Sequence, residues 1–151
     1  MSAPKDESRV VTASAEVVAP ASEIFELIAV PANQPRWDGN ENLVASHRSE
    51  PLTEVGDVFE MLNTSGRTRA NTVSEFEQDR LVAWMPGGVG EEPAGHVWRW
   101  ELEEIGEGRT LVTHTYDWTQ LHDESRHERA RSTTSDNLLA SIERLKALAE
   151  S

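Results

Sequence analysis

The chain has 151 residues, enough for one domain with an interior of its own. Its 27 acidic residues outnumber its 14 basic ones, which gives a formal net charge of −13 at pH 7. This charge argues against nucleic acid and anionic membranes as partners, because both require clustered lysine and arginine. The chain has no cysteine, which excludes disulfides and thiolate chemistry.

The amino terminus is polar and has no apolar signal region. We expect residues 1–9 to be flexible and residues 10–150 to form a single domain. No stretch of the chain is long and apolar enough to span a bilayer. The sequence therefore predicts a soluble, cytoplasmic protein.

The first third of the chain predicts one strand and two short helices. Residues 10–18 are rich in β-branched side chains and predict a strand, which Pro20 ends. Apolar residues at helical spacing then predict a helix over 20–30. The proline-containing segment 31–39 predicts a second, short helix that closes in a turn.

The middle of the chain predicts an antiparallel meander, because runs with period-two alternation are separated by turn signals. The predicted strands are 43–49, 56–63, 67–78, 80–86, 95–105 and 109–118. The charged segment 119–134 is expected to hold a short helix. A long helix follows, with Thr133 or Thr134 as its cap. Its apolar stripe consists of Leu138, Leu139, Ile142, Leu145, Leu148 and Ala149.

The hairpin over residues 96–118 contains three of the five tryptophans. Alternation places four large side chains of its first strand on one face, namely His96, Trp98, Trp100 and Leu102. In its second strand we expect the bulkier face to point inward, with Val112, His114, Tyr116 and Trp118. These two faces predict a curved apolar wall, which covers either the protein's own helix alone or a small ligand as well.

Four segments, in this order, resemble the START-like (SRPBCC) superfamily, which includes pollen allergens and polyketide cyclases/dehydrases. They are residues 17–25 (VVAPASEIF), 31–37 (PANQPRW), 98–102 (WRWEL) with 108–112 (GRTLV), and 139–148 (LASIERLKAL). The resemblance implies an α+β helix-grip fold. In that fold a bent seven-stranded antiparallel sheet wraps around a long C-terminal helix, two short helices follow the first strand, and a cavity lies between sheet and helix. It does not imply one function, because the superfamily includes carriers, receptors and enzymes.

The residues expected to contact a ligand are Trp37, Phe59, Trp84, His96, Trp98, Trp100, His114 and Tyr116. For Trp98 and Trp100, plain core packing is the alternative. Trp37 follows a proline pair at the expected cavity mouth, where it either gates the cavity or contacts its rim, or simply packs. His114 and Tyr116 are polar groups in an apolar cavity, and they must hydrogen-bond to protein, water or ligand.

The same cavity allows a second, catalytic interpretation. An aldol-type cyclisation needs a base and a polarising donor, for which His114 and either Tyr116 or His96 are the candidates. Arg67 and Arg69 share a strand face with Asn71, and they either bind an acidic or enolate oxygen or are simply solvated.

Other chemistries find no support in the sequence. His122 and His127 have a spacing known from zinc sites, but the cysteines that would complete such a site are absent, so we expect no metal. No phosphate-binding loop or nucleophile elbow is present, and no cofactor is expected.

These observations leave three functional hypotheses. The first is a protein that binds a lipid-like or aromatic metabolite in an apolar pocket. The second is an enzyme of the polyketide cyclase/dehydrase type, and the third is a chaperone-associated interaction domain. The molecule is expected to be a monomer or a homodimer.

Overall fold

A computed structural model describes residues 8–151. The predicted flexible amino terminus therefore lies, apart from Ser8 and Arg9, outside the described residues. Seven strands form one antiparallel sheet in the order β1-β7-β6-β5-β4-β3-β2. The strands are β1 (Val10–Val17), β2 (Leu43–Ala45), β3 (Val58–Asn63), β4 (Thr68–Glu77), β5 (Leu81–Gly88), β6 (Val97–Gly106) and β7 (Arg109–Asp117). The α+β class and the helix-grip fold are confirmed.

Within residues 8–151, four α-helices accompany the sheet: α1 (Ala21–Ala29), α2 (Gln34–Trp37), α3 (His127–Arg131) and α4 (Ser135–Ala149). Short 3₁₀ turns, Pro31–Asn33 and Glu124–Arg126, lead into α2 and α3. The long helix α4 begins at a capping box in which Thr134 and Asn137 bond each other's backbone N–H groups. Of the two predicted caps, Thr134 is the one used.

The inner face of the sheet follows the period-two pattern of the sequence. In β7, Thr110, Val112, His114 and Tyr116 are buried and the residues between them are not. The bulkier face is therefore the inward one, because removing large apolar groups from water favours folding most. Leu138, Ile142 and Leu145 are the buried apolar residues of α4, the helix that packs against β1 and β7.

Irregularities in strand pairing contribute to the curvature of the sheet, among them one in the β4–β5 pair and one in the β6–β7 pair. The β4–β5 register shifts between Val73 and Glu75, and the β6–β7 register shifts between Glu104 and Gly106. Such bulges bend a strand and increase its twist. The sheet thus curves around α4, which contacts β1 and β7 on one side and the α1–α2 segment on the other.

The turn after α2 is fastened to the first half of α4. The Asp38 carboxylate accepts hydrogen bonds from the backbone N–H groups of Asn42 at 2.6 Å and Leu43 at 2.9 Å. The Asn40 side chain donates to the carbonyl of Asn137 at 2.9 Å. The first two bonds hold the turn itself, and the third ties it to α4.

The main differences from the sequence-based boundaries lie in the second and third strands. The second strand covers only Leu43–Ala45 instead of 43–49, and the third begins at Val58 instead of 56. Arg48 explains part of the difference, because its side chain bonds the carbonyls of Glu50 and Pro51 and the carboxylate of Asp57, holding a loop. Within residues 8–151, no helix is long and apolar enough to cross a membrane.

Gly39 allows the turn to approach α4 closely, and its replacement is a test of this packing. A Cβ at Gly39 would lie 2.4 Å from the backbone carbon of Ala140. Because backbone cannot move aside as a flexible side chain can, we expect Gly39→Ala to lower the free energy of unfolding by about 1–3 kcal/mol. Urea denaturation measures this change.

The matched control is Gly106→Ala, since a Cβ there meets only the Arg109 side chain, at 3.8 Å. It should change stability by less than about 0.5 kcal/mol. Equal effects of the two substitutions would show that the close approach at Gly39 does not matter for stability.

Candidate functional site

A cavity of about 1140 Å³ lies between the inner face of the sheet and the helices α2, α3 and α4. This volume slightly exceeds the range of about 300–1,000 Å³ typical of small-molecule pockets. Exposed residues such as Arg67 and Arg129 line it, so the cavity opens to solvent there. Its deep end is formed by buried aromatic side chains.

The floor of the cavity is a continuous row of aromatic rings, which we call the aromatic ladder. It runs through His96, Tyr116, Trp98, His114, Trp100 and Trp37, with successive ring centroids 5.9, 4.3, 5.6, 3.7 and 5.1 Å apart. The β6–β7 register creates it by pairing Trp98 with Tyr116 and Trp100 with His114. Cross-strand neighbours on one face lie close enough for such ring contacts.

Trp37 is fixed in the wall rather than free to act as a gate. Its indole Nε1 donates a hydrogen bond to the carbonyl of Leu27 at 2.7 Å. Its ring meets Trp100 edge-to-face, and only 4% of the residue is exposed. The two interpretations of Trp37 from the sequence are thus combined: it lines the cavity and it is packed.

His114 is buried against Trp100, with the two rings stacked at an angle of 13°. Its Nδ1 lies 3.0 Å from the carbonyl of Arg99. Because a carbonyl only accepts, Nδ1 carries the proton, which leaves Nε2 as the ring nitrogen able to accept a hydrogen bond. Burial lowers the pKa of His114 to about 3, so the ring is neutral at neutral pH.

His96 and Tyr116 are uncharged for the same physical reason. Burial, reinforced by the positive charges of Arg69, Arg126 and Arg129, lowers the pKa of His96 to about 4. Burial raises the pKa of Tyr116 to about 12. The cavity floor therefore presents neutral donors and acceptors in an apolar surrounding.

Two buried polar atoms of the aromatic ladder lack a hydrogen-bond partner within residues 8–151. They are Nδ1 of His96 and Nε1 of Trp100. An unpaired buried donor or acceptor costs about 1–3 kcal/mol. Both residues line the cavity.

Seven of the eight predicted ligand-contact residues line the cavity, and Phe59 does not. Phe59 is 2% exposed and packs edge-to-face behind Trp84, with centroids 5.4 Å apart. It supports the wall without forming its surface. Period-two alternation identifies the inward face but does not distinguish a wall residue from the layer behind it.

The mouth of the cavity is polar, a feature that the predicted apolar wall does not include. Four arginines line it: Arg67, Arg69, Arg126 and Arg129. The sequence indicated the first two as possible oxygen ligands but did not connect them with Arg126 and Arg129. Apart from the charged character of segment 119–134, nothing in the sequence indicates this connection. Only the fold places that segment on the same cavity as the start of β4.

The segment that carries Arg126 and Arg129 is anchored on the sheet by a second apolar cluster. Its members are Tyr116, Trp118, Leu121, Ala130 and Leu138. His127 also bonds the carbonyl of Leu121 through Nε2 at 2.6 Å and packs over Trp118. His127 thus has a structural partner, whereas His122 is exposed.

The buried state of His114 makes stability depend on pH in a defined window. In the unfolded chain the pKa of His114 is 6.5, so the side chain takes up a proton below that pH. In the folded protein it stays neutral until about pH 3. The free energy of unfolding therefore falls as pH is lowered through this window, by up to about 1.4 kcal/mol per pH unit for this group.

We expect His114→Phe, which keeps a ring against Trp100, to reduce that slope between pH 6 and pH 4. Urea denaturation at a series of pH values gives the slopes. His47→Asn, which removes an exposed histidine outside the cavity, is the control. Identical slopes for the wild type and His114→Phe would contradict the conclusion that buried His114 causes this pH dependence.

Comparison with solved structures shows the same fold in several bacterial proteins. DynU16, a protein in the dynemicin biosynthetic locus, is 18% identical, with a TM-score of 0.68 over 96% of this chain and 48% of its own. XoxI from Bacillus cereus is 18% identical, with a TM-score of 0.67 over 95% and 96% of the two chains. The Aha1 dimer from Colwellia psychrerythraea is 16% identical, with a TM-score of 0.61 over 93% and 96%.

Sequence comparison gives a curated relative and a family. The uncharacterized protein Rv0088 of Mycobacterium tuberculosis is 30% identical over 112 residues, which are 72% of this chain. The chain spans about half the length of this relative, 47%. The family model described as polyketide cyclase / dehydrase and lipid transport matches residues 8–150. The predicted resemblance is thereby confirmed, and the chain belongs to the polyketide cyclase/dehydrase and lipid transport family.

Proposed function

We propose that this protein binds a small molecule with an aromatic or lipid-like body in the cavity between the sheet and α4. The observation that carries this proposal is the aromatic ladder at the floor of a cavity of about 1140 Å³. Tryptophan and tyrosine faces stabilise apolar and aromatic ligands through buried area and ring contacts. Family membership supports it, since the family description includes lipid transport.

The chemistry of the floor favours binding over acid/base catalysis. A general base works best with a pKa near the working pH, and the pKa of His114 is about 3. Nδ1 of His114 is bonded to the carbonyl of Arg99. Among the described residues His114 and Tyr116 form no hydrogen bond with each other, so this candidate acid/base pair is not assembled before a ligand arrives.

The other two hypotheses receive less support. A cyclase-type reaction remains the second candidate, because the neutral hydroxyl of Tyr116 and Nε2 of His114 belong to the same cavity and suit a polar ligand oxygen. A chaperone-associated domain would be favoured by a filled interior, which differs from the cavity described above. A cytoplasmic location and a monomeric or homodimeric state stay predictions.

Binding can be tested with N-phenyl-1-naphthylamine, a neutral aromatic probe whose emission rises in apolar surroundings. We expect saturable binding by the wild type. Trp98→Ala should weaken it by about tenfold, because a ring contact of roughly 0.5–1.5 kcal/mol is lost together with the area buried against it.

The matched control is Phe76→Ala, which removes an aromatic ring elsewhere on the sheet. Phe76 packs edge-to-face on Phe25 at 5.6 Å and does not line the cavity. Circular dichroism at the assay temperature establishes that each variant is folded. No saturable binding by the folded wild type would overturn the proposal, as would equal weakening by both substitutions.

A further inference from the structure

We propose that the arginines at the cavity mouth bind the oxyanion head group of an amphipathic ligand whose apolar body lies along the aromatic ladder. The proposal rests on the function proposed above and specifies its substrate class. It names a carboxylate or phosphate group attached to an aromatic or alkyl body. The cationic cluster consists of Arg67, Arg69, Arg126 and Arg129.

The fold brings this cluster together from two separate parts of the chain. Arg67 and Arg69 lie at the start of β4, whereas Arg126 and Arg129 belong to the 3₁₀ turn and helix that follow β7. All four line the same cavity. Trp118 and Leu121 hold the second segment by their apolar packing, so its position is part of the folded structure.

The cluster is electrostatically unfavourable by itself. The pKa of Arg69 is below its usual value because of partial burial and the positive charges of Arg126, Arg67 and Arg129. The pKa of His96 is lowered first by burial and then by the positive charges of Arg69, Arg126 and Arg129. Four guanidinium groups at one opening are unexpected in a chain of net charge −13, since carboxylates are abundant elsewhere on its surface.

Few carboxylates compensate these charges. Arg126 pairs with Asp123 at 3.4 Å, and Glu91 acts on Arg69 only from a distance. Arg67, Arg69 and Arg129 form no salt bridge within residues 8–151. Four other arginines in that range are paired with carboxylates, in the salt bridges Arg48–Asp57, Arg80–Glu77, Arg99–Glu75, Arg99–Glu101 and Arg109–Glu16. Arg36 and Arg144 instead donate hydrogen bonds to the Asn33 side chain and to the carbonyl of Asp38.

The arrangement suits an oxyanion better than a neutral polar group. Guanidinium groups bind carboxylate and phosphate oxygens by paired, charge-assisted hydrogen bonds. Arg69 is half-buried and Asn71, two residues further along the same strand face, is buried, so polar groups continue from the cationic cluster into the cavity. A ligand with its anionic end at the mouth would therefore place its apolar end against Trp98 and Tyr116.

The test uses two probes that differ by one charged group. 1-Anilinonaphthalene-8-sulfonate is N-phenyl-1-naphthylamine with a sulfonate added to the naphthalene ring. We expect the wild type to bind the sulfonate probe at least about tenfold more tightly than the neutral probe, because the sulfonate accepts charge-assisted hydrogen bonds. This preference should shrink with added salt, because screening weakens partly exposed charges.

The double variant Arg69→Gln/Arg129→Gln should lose the preference and keep the affinity for the neutral probe. Arg80→Gln is the matched control, because Arg80 is exposed and lies away from this cavity. It removes one positive charge and should leave both affinities unchanged. Trp98→Ala should weaken the binding of both probes. That result would show that both probes bind along the aromatic ladder.

The outcomes separate the two proposals. If the wild type binds both probes equally, the oxyanion site is overturned and the proposed function stands. A preference that survives in Arg69→Gln/Arg129→Gln also overturns the oxyanion site. If neither probe binds, the proposed function itself fails.

The type of head group follows from displacement of the bound sulfonate probe by dodecanoate, dodecyl phosphate and dodecanol. These three compounds have twelve carbons each and differ in their polar head group. Stronger displacement by dodecanoate assigns a carboxylate, and stronger displacement by dodecyl phosphate assigns a phosphate. Displacement by dodecanol equal to that of both anions would overturn the inference.

Discussion

The pairing register of β6 and β7 is the constraint on which the site depends. It sets Trp98 opposite Tyr116 and Trp100 opposite His114 on the concave face of the sheet. A shift of β7 by one residue against β6 would turn His114 and Tyr116 outward and bring Thr115 inward. The neutral state of His114, the ring contacts and the apolar floor all follow from this one alignment, because each requires burial on the same face.

The cavity wall is largely fixed by contacts that involve no ligand. Trp37 is held through the carbonyl of Leu27, and His114 through that of Arg99. Such bonds fix ring positions before binding, which lowers the ordering cost that a ligand must offset. Nε1 of Trp100 is an exception, since it has no partner within the described residues although Trp100 is fully buried.

The charge distribution separates the surface of the protein from its cavity. The chain as a whole is acidic, with a net charge of −13, yet arginines from two segments meet at the cavity opening. At moderate ionic strength, charges beyond about 10 Å are largely screened. Local positive charge at the mouth is therefore compatible with an acidic exterior. The net charge of the chain does not predict the sign of the charge at this site.

The sequence by itself determined the order of elements, because period-two alternation and the stripe of α4 at spacings of three and four are local patterns. It also determined the face of the hairpin that bears Trp98, Trp100, His114 and Tyr116. The tertiary structure alone decided that Phe59 lies behind Trp84, since alternation does not tell a wall from the layer supporting it. It alone brought Arg126 and Arg129 beside Arg69. These residues are about sixty positions apart, and their shared place at the cavity follows from the curvature of the sheet and the anchoring of Trp118, which no local pattern encodes.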